Sequence, residues 1–419
     1  MASPPSRLVR RLGVGDAVVV GLGAMLGAGV FGAFGPAAEA AGSGILVALG
    51  LAAVVAYANA TSSAQLAAVY PTSGGTYVYG RERLGPFWGF LAGWSFVVGK
   101  LASCGAMALT FGSYAAPSVA RPLAVAAVVA LVAVNWFGIE KTAFATRAIV
   151  TVVLVALALV VVAALFGGEA DAERLTPLLG DGGAYGLLQA AGILFFAFAG
   201  YARIATLGEE VRDPERTIPR AIPLALGIVL AVYAVVAVAA LAVAGADGLV
   251  TPAPLLAVVE AGSLDELGPA VRVGAAVASA GVLLSLLAGV GRTAFAMAAN
   301  GDLPRWLDAV HPRHRVPHRA ELAVGAVVVV LVAVADLREA IGFSSFAVLV
   351  YYAIANASAL TLTRAERRWP RPLAALGVLG CVVLALSLPL VAVVGGAVVL
   401  ATGALAYTVA RSPGRISGA

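Results

Sequence analysis

The sequence predicts an all-α polytopic membrane protein of about twelve transmembrane helices, and three observations carry that prediction. Of its 419 residues, 61% are hydrophobic and only 12% charged, a mix that would leave a water-soluble domain coated in apolar surface. Uncharged stretches recur at 148–166, 221–244, 322–335 and 373–410, the last long enough for two spans. A helix needs roughly 20 apolar residues to cross about 30 Å of hydrocarbon, whereas barrel strands would alternate rather than run continuously. The third observation is charge placement. One set of alternate loops holds Arg7, Arg10, Arg11, Arg81, Arg83, Lys141, Arg147, Arg212, Arg216, Arg220, Arg305, Arg313, Arg315, Arg319, Arg364, Arg367, Arg368, Arg371, Arg411 and Arg415. The other set holds Arg121, Arg174, Arg272 and Arg338. By the positive-inside rule the first set, with both termini, faces the cytoplasm.

In chain order, a basic cytoplasmic N-terminus (1–13) precedes spans near 14–40, 44–69, 87–115, 122–138 and 148–166. An external loop at 167–185 leads to spans near 186–208 and 220–244, and a second at 247–267 carries Thr251-Pro252-Ala253-Pro254. Spans near 270–298, 321–336 and 341–362 follow, then two more within 373–410 and a cytoplasmic C-terminus at 411–419. The first apolar span is too long for a cleaved signal core, and Cys104 and Cys381 fall inside spans, so no disulfide framework is expected. The net charge of +5 is spread over many loops rather than gathered on one domain, which argues against a nucleic-acid partner.

Spans one and six differ from the rest. The first carries Gly21, Gly23, Gly27, Gly29, Gly32 and Gly35 before Pro36; the sixth has Gly192 and Gly200 around Phe195-Phe196-Ala197-Phe198. Each interior glycine costs about 1 kcal/mol of helix relative to alanine, so such a cluster marks a place where a helix unwinds. The plainer reading is close helix packing through small residues. Spans one and six are five apart, and a second set of five begins from the opposite membrane face. That arrangement predicts an inverted repeat, 14–166 against 186–362, with a midplane site between the two breaks. Unwinding exposes backbone N–H and C=O groups at membrane depth, where a zwitterion would satisfy them at both ends.

Several stretches, taken in order, resemble the amino acid–polyamine–organocation (APC) superfamily. Leu26-Gly27-Ala28-Gly29-Val30-Phe31 is similar to its first-helix glycine motif. Pro71-Thr72-Ser73-Gly74-Gly75-Thr76-Tyr77-Val78-Tyr79, with Gly85, Gly89 and Gly93-Trp94, resembles the loop after its second helix. Phe195 to Tyr201, then Glu209-Glu210 and Pro214-Glu215-Arg216-Thr217-Ile218-Pro219, resemble its sixth-helix signature. Arg292, Ala296-Met297-Ala298, Gly301, Leu303-Pro304 and His311-Pro312-Arg313 are similar to the end of its eighth helix. The resemblance implies a five-plus-five core, two extra helices and alternating access. It places a substrate carboxylate on the backbone of Gly27, Ala28 and Gly29, and an ammonium on carbonyls of Met25, Phe196 and Ala199 beside Gly200, with the Phe196 ring closing over both. Where some relatives have a hydroxyl this chain has Ala28, so the carboxylate would rest on backbone groups alone.

Lys100 sits halfway along span three, too deep for its stem to reach either interface easily. It is the candidate for loading a proton or balancing the substrate carboxylate; the plainer reading is a structural lysine held by carbonyls. Proton-coupled members of the superfamily use a lysine in helix five, and span five here has none, so the coupling ion stays open between H+, Na+ and exchange. Arg203 and Arg292 lie near cytoplasmic ends, where snorkelling is easy; Arg292 with the acids at Glu209-Glu210 forms a candidate inner gate.

Other motifs carry less. Gly27-Ala28-Gly29-Val30-Phe31-Gly32 spells a dinucleotide fingerprint, but inside an apolar span with no acidic residue at the ribose distance. Gly93 to Gly99-Lys100 is one residue too long for a phosphate loop and has Leu101 in place of Ser/Thr. His311, His314 and His318 read as a basic loop rather than a metal site, and no histidine lies in a span to serve a membrane enzyme. No cofactor is expected. The function predicted is secondary transport of amino acids, neutral ones because no carboxylate sits near midplane. An amine or polyamine carrier of the same fold is the alternative, and an enzyme or channel fits less well.

Overall fold

The computed structural model describes residues 12–71, 74–138, 143–167, 170–180, 182–208 and 210–411. Arg7, Arg10, Arg11, Thr72, Ser73, Lys141, Glu209 and Arg415 lie outside them. The helices are α1 (Val14–Met25), α2 (Ala28–Gly32), α3 (Phe34–Ala41), α4 (Ile45–Val69), α5 (Thr76–Leu84), α6 (Pro86–Ala115), α7 (Ala120–Trp136) and α8 (Ala143–Phe166). The second half supplies α9 (Gly183–Phe198), α10 (Ala202–Ala205), α11 (Pro214–Leu249), α12 (Pro254–Glu260) and α13 (Gly268–Ala299). It ends with α14 (His318–Val334), α15 (Leu337–Leu360), α16 (Arg371–Ser387) and α17 (Leu390–Ala410). Among the described residues the only strand pairing is one isolated parallel bridge, Leu12 to Val211.

Ten stretches of helix are long and apolar enough to cross a membrane among the described residues. The expected ninth and eleventh spans correspond to α14 and α16, at 17 residues each. Two short helices were not expected: α5 in the loop after span two and α12 behind the Thr251–Pro254 turn.

Local signals set the boundaries. Pro occupies the first turn of α6, α11, α12 and α16, where its missing N–H costs nothing. A capping box starts α15: Asp336 Oδ1 accepts from Glu339 N–H at 2.7 Å, while Glu339 Oε2 accepts from Asp336 N–H at 3.2 Å. The seventh span stops short of the end of α11, at Gly245, whose φ of +65° breaks the helix.

Burial sorts the spans. The apolar window of α6 is 83% buried, and those of the sixth and tenth spans 78%, against 11% for the fourth. Spans three, six and ten are therefore interior, while α7 and α17 present Val129, Leu390 and Leu405 outward, as hydrocarbon-facing helices must. The buried α6 lies along α13 and α15, α9 along α4 and α3, and α11 along α1 and α4. These contacts place the ends of α1 and α9 inside the protein.

Candidate functional site

The first span is broken. α1 ends at Met25, Leu26 leaves the helical region (φ −76°, ψ 79°), Gly27 is extended (φ −145°, ψ −144°), and helix resumes at Ala28. The sixth span is only tightened. α9 ends at Phe198, a 3₁₀ turn runs over Ala199–Tyr201, and α10 continues from Ala202.

The two interruptions touch. A Cβ added at Gly29 would lie 2.5 Å from Ala197 Cα, and one at Gly200 would lie 2.4 Å from the Ala24 carbonyl oxygen and 2.8 Å from Met25 Cγ. Met25, Gly27, Ala28, Gly29, Phe196, Ala199 and Gly200 are thus brought together by glycines that let two backbones meet. Phe196 sits in the last turn of α9, almost fully buried.

Three tyrosines that the sequence reading did not single out serve the freed carbonyls. Tyr233 Oη of α11 lies 2.7 Å from Met25 O and 3.1 Å from Ala197 O. Tyr352 of α15 donates to Ala199 O at 3.2 Å, and Tyr114 of α6 donates to Phe31 O at 2.7 Å while accepting from Leu255 N–H at 3.1 Å. All three are buried, and a phenol inside an apolar span needs such a partner. That need was a usable signal in spans built otherwise of Ala and Val. Of the three carbonyls expected to face an ammonium, Met25 also takes Gly27 N–H at 2.9 Å and Phe196 takes the N–H of Ala199.

Lys100 is buried, with 7% of its surface accessible, and makes no hydrogen bond or ion pair with a described residue. It shares a helix face with Met107, two turns on and about 10 Å along the axis. The Met107 sulfur lies 3.6 Å from where a Gly27 Cβ would be. On the same face Gly93 abuts Tyr77 and Met297. Lys100 therefore stands on α6 between the break and the end of the protein that carries α5.

That end is closed by paired charges. Leu12 N–H donates to Glu210 O at 3.1 Å and Arg212 N–H to Leu12 O at 2.9 Å, strapping the start of α1 to the segment after the sixth span. Glu210 lies 3.9 Å from Arg203, and Arg147 reaches Asp16 at 2.5 Å. Glu321, at the start of α14, is buried, and its Oε2 has no hydrogen-bond partner among the described residues. Asp302, its carboxylate fully buried, accepts from Tyr77 at 2.6 Å and from Arg411 at 2.8 Å, with Arg81 at 3.5 Å. Burial and the Asp302 carboxylate push the Tyr77 phenol up to about 12, so it remains a donor at any ordinary pH. At the opposite end Arg338 pairs with Glu39. A 750 Å³ hollow there, lined by Ser43, Arg174, Thr176 and Glu260 among others, opens outward and lies apart from the two interruptions. Among the described residues no cluster of His, Cys, Asp and Glu is arranged to hold a metal.

Known proteins bear on this arrangement. A transporter of Mycobacterium tuberculosis named only as uncharacterised is 64% identical over 408 residues, 97% of this chain and 92% of its own. A branched-chain amino acid permease of Bacillus subtilis is 25% identical over 439 residues, covering 96% of this chain and 92% of its own. A serine/threonine exchanger of the same organism is 28% identical over 375 residues, 85% and 84% of the two chains. The family model described as amino acid permease matches residues 12–410, nearly the whole chain. With a helical architecture that crosses the membrane many times and two interrupted spans meeting at its centre, this chain belongs to the amino acid permease family, within the APC superfamily.

Proposed function

We propose that this protein moves neutral amino acids across the cytoplasmic membrane by alternating access, with both termini in the cytoplasm. The observation that carries the reading is the meeting of the Leu26–Gly27 break with the Ala199–Tyr201 turn deep among buried helices. The carboxylate of the substrate sits at the backbone of Gly27, Ala28 and Gly29, where the Gly27 N–H is held by Met25 O and the resuming helix offers the N–H groups of its first turn. Its ammonium lies among the carbonyls of Met25, Phe196 and Ala199, with Met25 O, already held by the Gly27 N–H and the Tyr233 hydroxyl, contributing its dipole rather than a further hydrogen bond, and the Phe196 ring covers it. The family supports amino acids as the class; the choice of neutral ones rests on this chain's own charges. Two of the acids near the candidate path are paired at its ends, Glu39 with Arg338 and Glu210 with Arg203, and Glu321 lies at the start of α14. A cationic side chain would meet Lys100 rather than a counter-ion.

Lys100, unpaired among the described residues and on the face that leads to Gly27, is the coupling candidate. It takes up and releases a proton, or balances the substrate carboxylate as the cytoplasmic end opens. Arg292 and Glu210, with Phe196, are the gate candidates.

The test is uptake into proteoliposomes of a panel of labelled amino acids and polyamines, with proton and sodium gradients imposed in turn. Accumulation of neutral amino acids driven by the proton gradient is the expected result, and counterflow without a gradient would assign exchange instead. Uptake of polyamines alone, or of nothing in the panel, would overturn the reading.

A further inference from the structure

Tyr233 is a buried group to which the reading above gives no task. In an unbroken helix the Met25 carbonyl accepts the Gly29 N–H, four residues on. Here it takes the Gly27 N–H at 2.9 Å and the Tyr233 hydroxyl at 2.7 Å, which uses both of its lone pairs. The same hydroxyl oxygen lies 3.1 Å from Ala197 O, the carbonyl of the residue against which Gly29 is packed. A phenol has one proton, and the shorter distance puts it on Met25. The ring is fully buried, 5.3 Å from that of Phe198, so phenylalanine would fill the same space. What tyrosine adds is the O–H, and the acceptors within its reach are Met25 O, at the edge of the first-span break, and Ala197 O, in the last turn of α9 before the sixth-span turn.

We infer that Tyr233 is a positioning residue: its hydroxyl occupies the lone pair through which the first span would rewind, and so holds the break open for the substrate's charged head. A hydroxyl–carbonyl bond and a helical N–H–carbonyl bond have similar net strength, so the donor present at Met25 decides the local conformation. Without the hydroxyl, Met25 O keeps only the two-residue contact from the Gly27 N–H, and the Gly29 N–H is the donor that rewinding brings to its vacated lone pair. Rewinding withdraws the Gly29 N–H from the carboxylate and draws Gly29 away from Ala197. The seventh span thereby sets the affinity of a site built on the first and sixth. The inference rests on the proposal that the break receives an amino acid.

The test compares wild type and Tyr233→Phe in proteoliposomes, using a transported neutral amino acid and, as competitor, its carboxamide, which keeps the ammonium and lacks the carboxylate. The expected result is a KM raised about tenfold with maximal rate changed less than about twofold, and a preference for acid over amide compressed by a similar factor. A smaller folded population would lower the maximal rate and leave both KM and the acid-to-amide ratio unmoved. Hydrogen exchange supplies an independent readout: in empty wild type the Gly29 amide, which has no backbone acceptor at the break among the described residues, exchanges faster than the paired amides of α1, and in Tyr233→Phe it becomes protected. Unchanged KM and ratio in Tyr233→Phe would overturn the inference, as would a wild-type Gly29 amide as protected as those of α1. The wild-type exchange measurement decides the matter if the variant fails to accumulate. If wild type carries no amino acid, the proposed function fails, and the exchange result still judges the hydroxyl.

Discussion

The first and sixth spans are interrupted where they touch, yet differently. The first leaves helical geometry altogether at Leu26 and Gly27; the sixth keeps right-handed dihedrals throughout and only tightens over Ala199–Tyr201. The first is glycine-rich and the sixth is not, which suggests that glycine number measures the depth of a break. The contacts teach something narrower. Added Cβ atoms at Gly21, Gly32 and Gly35 would meet Ile204, Thr110 and the Thr251 carbonyl, and one at Gly192 would meet the Leu384 carbonyl. Those glycines let neighbouring helices approach. Gly27, Gly29 and Gly200 are the ones at the interruptions, and none of them has a positive φ. Gly29 and Gly200 let two backbones approach, while Gly27 makes room for the Val282 side chain; none of the three is needed for freedom of dihedral angle at positive φ.

The largest expected effect tests that distinction. Gly29→Ala would put a methyl group 2.5 Å from Ala197 Cα, backbone against backbone, whereas Gly23→Ala meets side-chain methyls of Thr146 and Val150 at 3.2 Å. Overpacking costs about 1–3 kcal/mol. Here it falls on the site itself, so uptake by Gly29→Ala should drop about tenfold to a hundredfold while Gly23→Ala stays within about twofold. Equal losses in the two variants, measured as initial uptake rates at matched protein density, would mean the contact at the break has no special standing.

Lys100 sharpens the comparison from the side of the first span alone, since its helix face leads to Gly27 through Met107. Lys100→Gln and Lys100→Ala should abolish accumulation against a gradient while leaving counterflow exchange within a few-fold of wild type. The measurement is uphill uptake against counterflow in the same vesicles, from mildly acidic to mildly alkaline pH. Wild-type pH dependence and accumulation in both variants would remove Lys100 from the mechanism.

A smaller effect is expected at the sixth span. Tyr352 reaches Ala199 O at 3.2 Å, longer than the Tyr233–Met25 contact, and the turn it serves stays helical in its dihedrals. Losing one such hydrogen bond costs about 0.5–1.5 kcal/mol, so Tyr352→Phe should raise KM only a few-fold, less than Tyr233→Phe. The reverse order would mean that the sixth-span turn, not the first-span break, is the part held open by side chains.

Much of the fold was legible because burial in lipid writes itself as long apolar runs with arginine between them. Spans two, three and eight were expected within about two residues of where α4, α6 and α13 lie. Misses came where another rule competed. Short helices α5 and α12 hide in polar, proline-marked loops, and Gly245 breaks α11 in a stretch whose composition stays apolar. The glycine motifs pointed to the backbone of the site, but Tyr233, Tyr352 and Tyr114 come from three other spans. Periodicity cannot say which carbonyl a distant phenol will meet. Asp302 escaped for the same reason: its partners Tyr77, Arg81 and Arg411 are gathered from both ends of the chain.

The smallest effect lies far from both interruptions, where Arg83 of α5 reaches Glu366, between α15 and α16, at 2.5 Å. The Arg83 hydrogen bond, followed by the N–H and hydroxyl of Thr363, holds the Glu366 carboxyl down to about 2. A carboxyl lowered in the folded state contributes stability that is present above its ordinary value of about 4.5 and lost as pH falls toward 2. Because Glu366 lies at the surface with about a third of its side chain open to solvent, screening keeps that contribution small. Glu366→Gln should therefore lower the thermal midpoint slightly at neutral pH and flatten its decline on acidification. It should leave KM and the acid-to-amide preference unchanged, since the charge anchors α5 to a loop rather than to either break. A shift in substrate preference in Glu366→Gln would show that α5 and the breaks are coupled, and the difference between the first and sixth spans would then be set partly from the surface that carries α5.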